Sequence, residues 1–478
     1  MRLDSINRRS LLNLQIIWLA FVFLSYFWAE NNSLQNHRVL FNCMVFFSLV
    51  LGVLEIRKLS GTWLSLTLFF IITLYLFHHG HHILDFFGIS IDVFRDYIMT
   101  ISDNESANKG SVYSLLSINA LQLGCCFSLK HNKKSNERIA PQRDNYSYIK
   151  NWAIVLLIIS FIPAIWYDAN RILLSRTYDY GDIYKAGLNV FSSIFSGLFE
   201  ISLFALLYVN RDNKKWKYIY YPKLIWELLK LVTIGNRMAP ISSILMFIFF
   251  KKYVIDGKTK NKENVLKYVI FGLVGFLLMG IVSYLRSYGS AGMGEKNFLL
   301  SFVTESGTSL LDMTLLMELM PSQIGYVYGL TYLQSFLIAI PFSGSIFGSN
   351  LSAVSFGSIL NTYWDNEGLG GSCIAESYYN FGWFGIIYMF VLGIALSKLQ
   401  LKYFKMSMTN KSPLFFILAT YVMEQVLIYP RGYFYSIFQN VSVAIYATII
   451  IIPFMYNSDI KNKKIKYESN INTQGKID

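Results

Sequence analysis

One carboxylic acid stands at the start of a long apolar stretch in the C-terminal third of the chain. Residues 368–396 read GLGGSCIAESYYNFGWFGIIYMFVLGIAL, so a glycine-rich turn delivers Glu376 to the mouth of a predicted apolar helix. An acid at such a boundary costs free energy unless a polar partner or ligand requires it. Because a carboxylate can take a proton from a hydroxyl group, Glu376 is a candidate general base. An alternative stays open, since a helix beginning near Tyr378 also favours an acid at its N-terminus.

The arginines form a second group of side chains suited to chemistry. If the N-terminus lies inside, the predicted inner segments carry 24 Lys and 7 Arg, and the outer segments carry 3 Lys and 7 Arg. A guanidinium binds phosphate in bidentate fashion, whereas lysine offers a mobile point charge. The outer arginines are therefore candidate anion ligands, although some could instead pair with nearby acids such as Asp168, Asp179 and Asp182. They are Arg38, Arg95, Arg171, Arg176, Arg237, Arg286 and Arg431.

The composition indicates a chain that lives in a bilayer. Of its 478 residues, 54% are hydrophobic and only 15% are charged, and a membrane helix needs roughly 20 apolar residues. We predict an all-α, polytopic membrane protein with about twelve transmembrane helices, in one domain covering residues 1–478. The helices are expected to start near Leu11, Val39, Thr62, Ser111, Trp152, Asn189, Tyr218, Met238, Lys267, Tyr378, Ser412 and Ser436. The first is expected to be an anchor, because no small-x-small cleavage site follows it.

The loop charges predict the orientation of these helices. With both termini inside, the inner loops hold 31 of the 42 Lys and Arg residues, as the positive-inside rule requires. The net charge of +13 is therefore a topology signal, and it does not require a nucleic-acid partner.

One outer segment, residues 286–377, is much longer than a simple connector. It contains two apolar stretches, 310–320 and 331–342, each too short to span a bilayer. We expect them to lie along the interface or to dip in and return, with Asp312 and Glu318 facing water. Glycine and serine clusters follow, which permit turns and close backbone approach to a ligand. The segment is predicted to form a lid over a membrane cavity.

A second irregularity, IGNRMAP at residues 234–240, separates two apolar stretches. Non-helical backbone at membrane depth must line protein or water, so Arg237 is expected to face a cavity and an anionic partner. That partner could be a ligand, or it could be a membrane carboxylate such as Glu200 or Glu424. Glu227 and Lys230 are predicted to compensate one another as an i,i+3 pair.

Four of the six histidines form His78, His79, His81 and His82 in HHGHH, at the outer end of the third helix. Their spacing could bring metal ligands together, but a glycine interrupts the helix and no other ligand completes the set. Interfacial or sugar-contacting histidines are the favoured interpretation, and no metal or cofactor is predicted. The cysteine pattern implies no disulfide framework.

Taken in order, several motifs resemble the Wzy-type repeat-unit polymerases of O-antigen and capsular polysaccharides. The matching parts are IGNRMAP, Glu305 in FVTESGTSLL, IGYVYGLTYLQSFLIAIP and GLGGSCIAESYYNFGWFG. They extend over residues 231–396, while the N-terminal half matches only in hydropathy. The resemblance implies a GT-C-like integral membrane glycosyltransferase of the inner membrane, with a periplasmic active site and no need for a nucleotide sugar or metal.

The resemblance also implies substrates and roles. Donor and acceptor are undecaprenyl-diphosphate-linked oligosaccharides, and a chain-length regulator is a further expected partner. Glu376 is the leading base and Glu305 the second. Arg237 and Arg286 are the leading diphosphate ligands. The further diphosphate candidates are Arg171, Arg176 and Arg431, and the predicted substrate loop comprises Tyr328, Tyr332, Gly370, Gly371, Ser372, Tyr378 and Asn380.

Two other functions are compatible with the sequence. A flippase for lipid-linked repeat units also has about twelve helices, but it should show short loops and two related halves. An O-antigen ligase is a relative with a functional histidine in its large outer loop, and residues 286–377 contain none. Both comparisons favour a polymerase.

Overall fold

A computed structural model of the chain describes residues 8–30, 38–89, 104–129, 147–177, 190–233, 238–256, 309–340, 343, 346, 371–409 and 413–474. Within these ranges it contains fourteen α-helices and no β-strand. They are α1 (Arg8–Glu30), α2 (Arg38–Ser60), α3 (Leu66–Phe86), α4 (Asn104–Ser128), α5 (Ser147–Thr177), α6 (Val190–Val209), α7 (Lys217–Thr233), α8 (Met238–Phe250), α9 (Ser309–Leu319), α10 (Leu330–Ile338), α11 (Cys373–Phe381), α12 (Gly385–Thr409), α13 (Pro413–Ile428) and α14 (Phe434–Gln474).

The all-helical prediction is confirmed for the described ranges, and the chain is an integral membrane protein. Eleven of the twelve predicted segments coincide with described helices, and the segment from Lys267 lies outside the described residues. Eight described helical segments are long and apolar enough to cross a membrane, so the number twelve stays a prediction. The eight are Arg38–Ser60, Glu105–Ser128, Ser147–Leu174, Ser192–Val209, Met238–Ile255, Cys373–Ser407, Pro413–Arg431 and Phe434–Phe454.

Helix α4 is mostly buried and crosses α12 at very short range. A Cβ atom added to Gly124 of α4 would lie 2.1 Å from the backbone oxygen of Phe390, and one added to Gly393 of α12 would lie 2.2 Å from that of Leu121. Each glycine thus lets the other backbone approach, which is how helices pack closely in membranes. The crossing fixes α12, which follows the short helix that carries Glu376.

Polar contacts show which helix ends lie together. At one end, Arg38 at the start of α2 pairs with Asp85 at the end of α3, with a distance of 2.6 Å from Nε to Oδ2. At the other end, Gln400 of α12 accepts the backbone N–H of Thr67 at 2.9 Å, near the start of α3.

The second end is the basic one. Its lysines and arginines lie beside the turn into α3, on α12 and after α8, and include Arg57, Lys58, Lys252, Lys398 and Lys402. The basic end is therefore opposite the end that holds Arg38 and Asp85.

Candidate active site

Helix α11 presents the acid that the sequence singles out. Gly371 packs so closely on the ring of Tyr433 that an added Cβ atom would lie 2.2 Å from it. Ser372 then takes an extended conformation, and its Oγ accepts the backbone N–H groups of Ile374 at 3.2 Å and Ala375 at 3.3 Å. This is a serine N-cap, which accepts hydrogen bonds from backbone N–H groups of the first turn that have no partner within the helix. The helix therefore begins at Cys373, five residues before the predicted start, and Glu376 lies in its first turn rather than capping a helix that begins near Tyr378.

The carboxylate of Glu376 is buried among three neutral hydrogen-bond donors. Thr331 of α10 donates from Oγ1 to Oε1 at 3.1 Å. Phe434 at the start of α14 donates its backbone N–H to Oε2 at 2.9 Å, and the hydroxyl of Tyr429 donates to the same oxygen at 3.3 Å. Three separate chain segments therefore converge on one acid. Buried donors of this kind fix the orientation of a carboxylate, as a positioned base requires.

Asn380 sets the direction of one of these hydrogen bonds. Its Nδ2 donates to the hydroxyl oxygen of Thr331 at 2.7 Å and to the backbone oxygen of Glu376 at 2.8 Å. Because Thr331 accepts from the amide, its own hydroxyl proton is directed at the carboxylate. The predicted substrate-loop residue Asn380 thus supports the acid from within the same helix.

Aromatic side chains line the same junction. The ring of Tyr332 stacks on that of Tyr388 with centroids 4.5 Å apart, and it meets the ring of Phe434 edge-on at 5.1 Å. The hydroxyl groups of Tyr388 and Tyr429 lie 2.9 Å apart. Tyr378, another predicted substrate-loop residue, is buried instead against Tyr113, with centroids 5.0 Å apart. Of these residues, Tyr332 lies at the site and Tyr378 in the supporting core.

The turn before α10 holds an exposed tyrosine in a strained backbone conformation. Tyr328 has a φ of 49°, followed by Gly329 with a φ of 89°. A bulky residue rarely adopts such values. The backbone N–H of Tyr328 donates to the oxygen of Asn380 at 2.9 Å, so the turn is fastened to α11. Tyr328 is 81% exposed.

Arg431 lies in the turn that connects two of the groups holding Glu376. It ends the 3₁₀ segment Tyr429–Arg431 and comes three residues before Phe434. Its guanidinium is half-buried, with Cζ 5.2 Å from the centroid of the Phe77 ring. Of the predicted diphosphate ligands whose side chains the structure describes, Arg431 is the one in the turn whose neighbours Tyr429 and Phe434 contact Glu376.

The expectation that Asp312 faces water is wrong. Asp312 is fully buried in α9, and its oxygens have no hydrogen-bond partner among the described residues. Helix α9 packs against α3, α4 and α11, which bury most of its residues, including Asp312, whereas Glu318 near its C-terminal end is exposed as expected. Burial raises the pKa of the Asp312 carboxyl well above its usual value, and the charge of Arg431 opposes that shift.

The structure does not bring every predicted residue to this junction. Arg171 lies on α5 with its guanidinium carbon 5.6 Å from the ring of Tyr167. The side chain of Arg176 lies outside the described part, although its backbone belongs to α5. Four further predicted residues lie outside the described ranges: Glu305, Arg237, Arg286 and Gly370.

The predicted pair of Glu227 and Lys230 is confirmed, at 2.7 Å, and belongs to a larger buried network. Lys223 bonds Glu200 directly and lies 2.7 Å from Glu227, while Lys230 lies 3.5 Å from Asp168. The network ties the hairpin of α7 and α8 to α5 and α6. One of the acids considered as a partner for the hairpin arginine is therefore already paired with a lysine.

The histidines are not interfacial as expected, because His78, His79 and His81 are buried. Within the described ranges, no three His, Cys, Asp or Glu side chains are placed to share a metal ion. His78 instead contacts two serines, at 2.8 Å from Nε2 to Ser372 Oγ and 3.4 Å from Nδ1 to Ser114 Oγ.

Sequence reasoning missed three groups of the site: Thr331, Tyr429 and the backbone N–H of Phe434. Thr331 stands within a quoted motif, GLTYLQSF, so its threonine was a usable signal. Tyr429 adjoins Pro430 and Arg431 at the end of a predicted membrane helix. Tyrosine is common at such ends whatever the function, so it gave no signal. A backbone N–H carries no sequence signal at all.

Comparison with known protein families identifies the family of the chain. A family model described as O-antigen polysaccharide polymerase Wzy matches residues 11–463. No curated protein and no solved structure gives a significant match to the chain.

Proposed function

The chain belongs to the O-antigen polysaccharide polymerase Wzy family, and from that premise we propose the reaction that it performs. A hydroxyl group of one undecaprenyl-diphosphate-linked oligosaccharide attacks the anomeric carbon of another. The new glycosidic C–O bond forms as the bond from the anomeric carbon to the diphosphate breaks. The leaving electron pair stays on the diphosphate, and the hydroxyl proton passes to a base. The products are a longer lipid-linked chain and undecaprenyl diphosphate.

The observation that carries this proposal is the buried, oriented Glu376. Three segments, α10, α11 and the turn into α14, converge on this acid, and Arg431 belongs to that turn. Glu376, held by neutral donors, is suited to take the acceptor proton. Arg431 is suited to neutralise the negative charge that grows on the departing diphosphate, an effect that a low-dielectric site strengthens.

The remaining predicted residues complete the proposal. Arg237 and Arg286 stay the leading additional diphosphate ligands, with Arg171 and Arg176 as weaker candidates, because guanidinium groups bind phosphate in bidentate fashion. Glu305 stays the second candidate base.

We assign the acceptor sugar to the surface beside Tyr328. Its exposed ring, fastened by its backbone to the helix of the proposed base, is a suitable face for sugar contact. Gly371 and Ser372 bring the base into place, and Gly370 stays a predicted member of the substrate loop. The chemistry needs neither a nucleotide sugar nor a metal ion, because the donor already carries its diphosphate leaving group.

The proposed location is the periplasmic face of the bacterial inner membrane. The end that holds Glu376 is opposite the basic end with Lys252 and Lys398, which supports an outward-facing site with both termini in the cytoplasm. The long segment 286–377 fits a periplasmic lid, the GT-C-like relationship remains part of the proposal, and a chain-length regulator is a proposed partner.

Two related activities compete with polymerisation. A flippase would move lipid-linked units without joining them, and a ligase would transfer finished polymer to a different lipid acceptor. A flippase needs no base, so the buried, oriented acid favours glycosyl transfer over transport. Residues 286–377 contain no histidine, which favours a polymerase over a ligase.

The deciding experiment is reconstitution of the purified full chain in vesicles with a lipid-linked repeat unit on the outer leaflet alone. We expect a ladder of products that grows by one repeat unit per step, with release of undecaprenyl diphosphate in equal amount. Movement of single units across the bilayer without a ladder would replace the polymerase by a flippase. A product that forms only after a separate glycolipid acceptor is added would replace it by a ligase.

A further inference from the structure

The HHGHH stretch contains one histidine that contacts the helix of the proposed base. His78 lies on α3, is fully buried, and places its Nε2 atom 2.8 Å from the hydroxyl of Ser372. Its other nitrogen lies 3.4 Å from the hydroxyl of Ser114 on α4. The imidazole thus bridges two helices of the N-terminal half and the first turn of α11.

The hydrogen-bond directions follow from what each atom can do. The Ser372 oxygen already accepts two backbone N–H groups as the N-cap of α11. A hydroxyl has two acceptor lone pairs and one proton, so Ser372 has only its proton left to offer. It must donate to His78, and Nε2 must carry no proton. The imidazole proton then lies on Nδ1 and points to Ser114.

The contact reaches Glu376 through one turn of helix. The backbone N–H of Glu376 donates to the carbonyl oxygen of Ser372 at 2.8 Å, so the cap residue and the acid share the first turn of α11. Any shift of Ser372 moves that turn. Small displacements of a reacting group far from the mutated atom can lower a rate strongly.

We propose that His78 is a positioning residue: as the neutral Nδ1–H tautomer it holds Ser372, and through it the orientation of the Glu376 carboxylate. This inference rests on the proposed role of Glu376 as the base. It gives the buried histidine a task that requires neither a metal ion nor contact with substrate.

Three variants test the proposal in the reconstituted polymerase. His78→Leu removes the acceptor, and we expect kcat to fall by about tenfold to 100-fold with KM for the lipid-linked unit unchanged. His78→Gln places an amide oxygen near the position of Nε2, and it should recover most of the lost rate. The matched control is His79→Leu, because His79 is equally buried and neither of its nitrogens has a hydrogen-bond partner among the described residues. Its kcat should stay close to that of the unchanged chain.

The tautomer of His78 gives a second readout, because a histidine that only fills space would have no need to keep Nε2 unprotonated. Six histidines are few enough for ¹⁵N-histidine labelling of the full chain in lipid, with the His78 signal assigned by its loss in His78→Gln. We expect an unprotonated Nε2 and a protonated Nδ1. A protonated Nε2, an active His78→Leu, or a His78→Gln as slow as His78→Leu would each overturn the proposal.

Glu376→Gln assayed alongside separates this inference from the function on which it rests. If Glu376→Gln is inactive while His78→Leu and His78→Gln have the same kcat, only the positioning role of His78 fails. If it keeps full activity, the proposed base itself is lost, and the role of His78 in catalysis is lost with it, whatever tautomer is found.

Discussion

Replacing Glu376 by glutamine should stop chain extension while leaving the fold nearly intact. Loss of a general base typically lowers a rate by about 10²-fold to 10⁴-fold, and tenfold corresponds to about 1.4 kcal/mol. We therefore expect the barrier to rise by about 3 to 5 kcal/mol in Glu376→Gln.

The hydrogen bonds of the site predict a much smaller effect on stability. The amide oxygen of glutamine can occupy the Oε2 position and keep the bonds from Phe434 N–H and Tyr429. The amide nitrogen then faces Thr331, whose hydroxyl loses its acceptor at 3.1 Å. One lost hydrogen bond is worth about 1 kcal/mol. The rise in the activation free energy of chain extension should thus be several times the loss in the free energy of unfolding.

The assay is ladder formation by the reconstituted chain, with thermal unfolding of the same preparation. Glu424→Gln is the matched control, since Glu424 is also a buried glutamate on a membrane-spanning helix but is not among the residues around the proposed base. We expect normal ladders from the control. A stable Glu376→Gln protein that makes ladders at the unchanged rate would refute the base assignment and the argument from its three donors.

Four further changes have defined outcomes. Arg431→Lys keeps the charge but loses the planar fork, so kcat should fall by about tenfold or more; an unchanged rate would exclude bidentate phosphate binding there. Tyr429→Phe removes one donor to the acid, and the polymerisation rate should fall by no more than about tenfold. Gly393→Ala places a Cβ atom 2.2 Å from a backbone oxygen of α4, so the free energy of unfolding should drop by about 1 to 3 kcal/mol. In the control Gly325→Ala the added Cβ atom meets open space, and the free energy of unfolding should change little. Burial raises the pKa of the Asp312 carboxyl, so its neutral form stabilises the fold at low pH, and that contribution is lost as pH rises through the folded pKa. Asp312→Asn cannot lose a proton, so its melting temperature should rise relative to that of the unchanged chain as pH rises. A difference in melting temperature that stays constant with pH would contradict this.

Much of the helical architecture follows from hydropathy alone. Apolar runs of about 20 residues mark the helices wherever a span meets lipid on part of its surface. Reasoning from periodicity failed for α9, where Asp312 was assigned to water. That helix is surrounded by other helices, and an acid in such a position cannot be distinguished by spacing from one at an interface.

The site was only partly predictable for a related reason. Glu376 stood out because an acid between a glycine turn and an apolar helix is costly. Its partners are 45 to 58 residues away in sequence, and one of them is a backbone N–H. Only the packing of α10 and the start of α14 against α11 brings Thr331, Tyr429 and Phe434 to that acid. No local pattern encodes that packing.

The same geometry explains why the N-terminal half matters to a site whose acid and donors all come from the C-terminal third. Helix α11 is short, and a helix of nine residues has little stability of its own. It is held by its cap, by the glycine crossing of α4 with α12, and by His78 of α3. Through these contacts, helices before residue 130 support the short helix that carries the buried acid. Substitutions at the residues that contact α11, such as His78, should alter kcat without any contact to substrate, whereas those away from these contacts should not.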